Sequence, residues 1–244
     1  MQRAVIVTLL VLTVLVGGML HLIGLNAETA QQARMANGIA RMTTGLIVIW
    51  VFLGGGLMYL GRDRIAGVVR RIRLDERVKF TLFAVLLACL EEGVTVSMTN
   101  LAPVFGAGVG EAYITASGNY FDVIAFHSVV VFVPYFIVLP LILSRWAFSP
   151  FVVFLSFGAV GTLCEAIFAG NVGVVIGFPM WAFVYGLMVW LPTYCMTRPA
   201  AQPVGWIGTF ALAPAVFGLA LPLVAVEAWV IIGLLGHPGM HFGG

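Results

Sequence analysis

The chain has 244 residues, of which 61% are hydrophobic and 9% charged, with twelve Lys or Arg against ten Asp or Glu. Soluble domains carry roughly 25% charged residues, so this composition excludes a water-soluble globule and points to a bundle with lipid as its outer solvent. Cys89, Cys164 and Cys195 all fall in apolar stretches, which suggests neither a disulfide framework nor a zinc-type cysteine cluster.

A helix needs about 20 apolar residues to cross the hydrocarbon core. By that measure seven spans follow in chain order, at 4–25, 44–61, 80–101, 122–143, 150–170, 173–195 and 206–235. The predicted fold is therefore all-α, an integral membrane bundle of about seven transmembrane helices forming a single polytopic domain. The first span follows Arg3 and is too long for a secretion signal. Leu25-Asn26-Ala27 is also a poor cleavage site, so the span is expected to stay as an anchor.

Between the second and third spans, the loop 62–79 places Ile65, Val68, Val69 and Ile72 at helical spacing among Arg64, Arg70, Arg71 and Arg73. That pattern predicts a basic amphipathic helix lying on anionic inner-leaflet lipids. The fifth and sixth spans are nearly fused, and Gly170-Asn171-Val172-Gly173 is the expected turn between them. Pro214 and Pro222 predict a kinked or tilted last span.

Basic residues set the expected orientation. With the N-terminus inside, the inner segments collect Arg3, the seven Lys and Arg of 62–79, Arg145 and Arg198. The outer segments keep only Arg34 and Arg41. The expectation is N-terminus inside and C-terminus outside, in a cell (plasma or inner) membrane. Nothing indicates nucleic-acid binding beyond the basic loop, which a membrane surface explains. No internal repeat indicates a duplicated transporter architecture. A homo-oligomer is compatible with this pattern.

Glu91 and Glu92 sit near the middle of the third span. An isolated acidic residue there costs roughly 2.5–3.5 kcal/mol on insertion scales, and two side by side cannot both be cheaply ionised. At 100° per residue Glu91, Glu92, Thr95 and Thr99 share about one 100° sector, a polar stripe running toward the outer surface, while Ser97 and Asn100 point elsewhere. On the fourth span His127 falls about 8 Å below the outer boundary, with Ser128 adjacent and Asp122 on another side. Asp122 and Asn119 read as caps of that span. Glu165 of the fifth span comes to nearly the same depth as His127, on a face with Gly158, Gly161, Thr162 and Ala169 that suits close helix packing. The glycine-rich loop 102–121 carries Glu111, Tyr113, Asn119 and Tyr120 and suits a lid over the outer mouth. His237 and His241, four apart in a glycine-containing tail, could share a metal, although the pair reads first as part of an exposed tail.

The order of two glutamates on one span and a histidine on the next resembles CAAX-processing and related intramembrane glutamate proteases. Val96 stands where their pattern has arginine, Val123 where it has phenylalanine, and no second intramembrane histidine follows, so no function carries over. HExxH and GxSxG motifs are absent. Two classes of function fit the remaining pattern. In the first, the chain is a transporter or permease-like protein for a small solute or ion, binding it through Glu91, Glu92, Thr95, Thr99, His127 and Glu165. In the second it is a membrane-embedded hydrolase acting on lipid or peptide, with Glu92, His127 and Glu165 as candidate metal ligands. A third reading makes it a non-catalytic membrane subunit whose polar groups only join helices. The sequence identifies no cofactor.

Overall fold

Local side-chain hydrogen bonds decide where several helices begin. Thr29 Oγ1 accepts the Gln32 N–H at 3.1 Å while Gln32 Oε1 accepts the Thr29 N–H at 3.2 Å, a reciprocal pair that satisfies two orphan donors of a helix start. Asp75 accepts from the Arg77 N–H at 2.9 Å, Asn119 from the Phe121 N–H at 3.0 Å and Ser149 from the Val152 N–H at 3.2 Å. The computed structural model describes residues 2–198 and 200–239. Among the described residues, seven helices are long and apolar enough to cross a membrane. They are α1 (Gln2–Asn26), α2 (Ala30–Val69), α3 (Glu76–Asn100), α4 (Tyr120–Arg145), α5 (Pro150–Phe168), α6 (Val172–Cys195) and α7 (Trp206–Leu234). Such a set fits a multi-pass integral membrane protein.

α6 is the hub: it packs against α1, α2, α3 and α5, while α4 bridges α3 and α7. The tightest pairing is α5 with α6, because glycines let the two backbones meet. A Cβ at Gly158 would sit 2.5 Å from the Ala182 Cα, one at Gly161 would collide with the Tyr185 ring, and one at Gly186 would lie 2.5 Å from a Phe154 ring carbon. The chain reverses between α5 and α6 at Gly170 (φ +59°), a left-handed conformation that favours glycine, and Asn171 accepts the Gly173 N–H at 2.8 Å.

Prolines inside the helices leave carbonyls without their usual donor. Pro140 cannot supply an N–H to Phe136, and the Thr81 hydroxyl of α3 donates to the Phe136 carbonyl instead, at 2.8 Å. That bond fastens α3 to α4 in a place where no water would serve.

α2 differs from the expected 44–61 span. It is one 40-residue helix carrying a π-helical stretch at Ile47–Gly54, about 60 Å long and so roughly twice the hydrocarbon thickness. Its first turns bury Gly38 and Met42 against the loop between α3 and α4, where Gly38 meets Ala107 and Ala112 and Met42 clusters with Ala102. Arg34 bonds Glu111 at 3.2 Å and Arg41 donates to the Phe105 carbonyl at 3.0 Å. These contacts made 30–43 helical, although its hydropathy alone did not mark it as a span.

The segment 62–79 likewise forms no separate surface helix. α2 continues through Val69, a turn follows, and α3 starts at Glu76. Arg70 reaches the last carbonyls of α6, bonding Cys195 O at 3.1 Å and Tyr194 O at 3.0 Å, and Arg198 donates to the Phe148 carbonyl at 2.9 Å. Cations suit helix C-termini, where carbonyls lack partners. At this arginine-rich end Trp146 and Ala147 pair in parallel with Gln202 and Pro203.

Candidate functional site

α3 carries Glu91 and Glu92 into the protein interior, with 3% and 9% of their surface exposed. Thr95 and Thr99 are buried on the same side, whereas Ser97 and Asn100 are exposed. Each polar group has a definite role. Thr95 Oγ1 donates to Glu92 Oε2 at 2.8 Å. The loop between α3 and α4 dips inward, so that Thr115 Oγ1 approaches the same oxygen at 3.5 Å, and Ser128 of α4 also bonds Glu92. Thr99 serves the loop instead: its hydroxyl accepts the Ile114 N–H at 3.2 Å and holds the loop in place. Ala102, Ala107, Ala112 and Ser117 of that loop are buried, which closes the bundle over the glutamates.

Glu165 of α5 completes the group. Its carboxylate accepts a hydrogen bond from the Tyr185 hydroxyl of α6, and it lies within electrostatic reach of both Glu91 and Glu92. Tyr185 is buried and its ring packs on Phe132 (4.9 Å between centroids) and Trp181 (5.8 Å). Gly161, one turn before Glu165, leaves the space this ring occupies. Among the described residues, no lysine or arginine forms an ion pair with any of the three carboxylates. Glu91 and Glu92 are buried and Glu165 is half-buried, with no basic side chain among the described residues paired to them, an arrangement that protons or a bound cation would stabilise.

His127 belongs to a different cluster. Val123–His127 is a π-helical turn, in which residues five apart come to lie over one another. His127 Nε2 therefore stands 3.3 Å from an Asp122 carboxylate oxygen. The expected placement of Asp122 on another side assumed a regular α-helix, and the π turn overturns it. Asn119 alone acts as the cap. His237 is not an exposed tail residue: Gly236 turns the chain at φ +62°, the His237 N–H reaches the Ile231 carbonyl at 3.0 Å, and its ring faces Phe126 at 4.5 Å between centroids. His237 Nε2 lies 3.2 Å from His127 Nε2 and 3.0 Å from the other Asp122 oxygen. His241 lies outside the described residues. Among the described residues, the three donors that approach within 4.8 Å of one another are Asp122, His127 and His237, and not Glu92, His127 and Glu165.

Outside the spans, the Gly108 N–H at 2.7 Å, together with Arg34, holds the Glu111 carboxyl below the ordinary carboxylate range despite slight desolvation. Tyr185 and Thr115 are not legible in the sequence as site residues, and His237 is legible as a candidate metal ligand only with His241 as its companion. A phenol in the middle of an apolar span that must find a partner was the available signal for Tyr185. No known protein family, curated protein or solved structure matches the chain.

Proposed function

We propose that this protein carries a small solute or ion across its membrane, with Glu91, Glu92 and Glu165 as the centre that holds and releases protons or a cation. The observation that supports this reading is the buried Glu91–Glu92 pair beside half-buried Glu165, with hydroxyl partners on Glu92 and Glu165 and no ion pair from a basic side chain among the described residues. Thr95, Thr115 and Ser128 would steady Glu92, and Tyr185 would steady Glu165. Thr99 would hold the loop whose movement admits the solute, and His127 would stand beside the entrance. The basic-residue asymmetry supports an inside N-terminus and an outside C-terminus, so that the loop end faces outward. At the other end, exposed Arg64, Arg71 and Arg73 beside exposed Val68 and Ile72 suit anionic lipid headgroups.

The test is reconstitution of the whole chain into vesicles containing a pH-sensitive dye, with an imposed sodium or potassium gradient. Wild-type protein is expected to move protons or the cation, and Glu91→Gln and Glu92→Gln to abolish that movement while remaining folded. Equal flux in wild type and both variants would reject the assignment.

A further inference from the structure

We infer that Asp122, His127 and His237 form a binding site for a divalent transition-metal ion of the zinc class. The inference goes beyond the carrier reading and does not depend on it. It starts from donor chemistry. Two imidazole nitrogens and one carboxylate are the donor types such cations take, and three protein ligands leave a fourth position open to water or another ligand.

The spacing fits the same chemistry. Metal–nitrogen bonds of about 2.0–2.1 Å at tetrahedral angles place neighbouring donors about 3.3 Å apart. Here the two Nε2 atoms are 3.2 Å apart, one Asp122 oxygen lies 3.3 Å from His127 Nε2, and the other Asp122 oxygen lies 3.0 Å from His237 Nε2. In both rings it is Nε2 that approaches the Asp122 carboxylate, and the three donors lie within 4.8 Å of one another.

Two separate backbone features build this convergence. The π turn at Val123–His127 brings Asp122 and His127, five residues apart, to one side of α4. The left-handed Gly236 returns the chain so that His237, 110 residues further on, closes the set. The three side chains keep only 10%, 8% and 18% exposure, so the donors are mostly shielded while one edge stays accessible. A bound ion would tie the end of α7 to the start of α4.

The experiment uses full-length protein purified without a polyhistidine tag, stripped of metal and then titrated with zinc or cobalt(II). Wild-type protein is expected to hold about one ion per chain, and cobalt to give the intense visible bands of a tetrahedral site. Asp122→Asn, His127→Gln and His237→Gln are expected to weaken binding. Disturbing partners around metal ligands alone costs about 10- to 100-fold in affinity, so loss of a ligand should cost at least that. The cobalt spectrum is read on wild-type protein and stays decisive even if a variant fails to fold. A featureless cobalt titration, or folded variants that bind as tightly as wild type, would overturn the inference. Vesicle flux is a separate readout, so failure here leaves the carrier reading standing.

Discussion

The two polar clusters are built in opposite ways. The carboxylate group of Glu91, Glu92 and Glu165 sits on regular stretches of α3 and α5, with hydroxyl oxygens as partners of Glu92 and Glu165. The Asp122–His127–His237 cluster sits where α4 departs from α-helical winding and where the chain folds back after α7. The first is held by helix packing, the second by two backbone irregularities and by whatever its donors share. Changes to helix packing should therefore disturb the first and spare the second, and the reverse should hold for changes at the chain's end.

The largest effect is expected from Gly161→Val. The new side chain would collide with the Tyr185 ring, separating α5 from α6 at a cost of about 3 kcal/mol or more. Thermal unfolding in detergent should show the loss, and a variant as stable as wild type would break the packing argument. Tyr185→Phe is next. It removes the hydroxyl that bonds Glu165, and a buried acceptor left without its donor costs about 1–3 kcal/mol. The same variant should leave metal binding at Asp122, His127 and His237 unchanged, which separates the two clusters in a single preparation.

Thr81→Val sharpens the comparison as a control, because it touches neither cluster. It should cost about 1 kcal/mol by leaving the Phe136 carbonyl without a donor, with no change in flux or metal binding. The smallest effect concerns the loop over the carboxylates. Glu111 has its carboxyl held low by Gly108 and Arg34, so its contribution is present at neutral pH and is lost as pH falls through that lowered value. Hydrogen exchange in 101–119 should rise on acidification below the ordinary carboxylate value of 4.5. In Glu111→Gln the same acidification should change exchange less.

Much of the bundle could be read from apolar run length, because lipid imposes one thickness on every helix. Glu91, Glu92 and Glu165 were readable for a related reason: acids are rare at that depth and a regular helix places them predictably. α2 was underestimated because its first turns bury small side chains against a loop, and hydropathy does not register that contact. The Thr29–Gln32 spacing was the overlooked sign of a helix start. The partners of His127 were beyond reach. A π turn has no clear sequence signature here, and a contact between residues 127 and 237 depends on the whole bundle closing.

The most direct test places Glu92→Gln and Asp122→Asn side by side in the same vesicles, with cation-driven proton movement measured for each. Glu92→Gln is expected to abolish flux and Asp122→Asn to keep it. Wild-type flux persisting in folded Glu92→Gln would contradict the assignment of the carboxylate group as the transport centre.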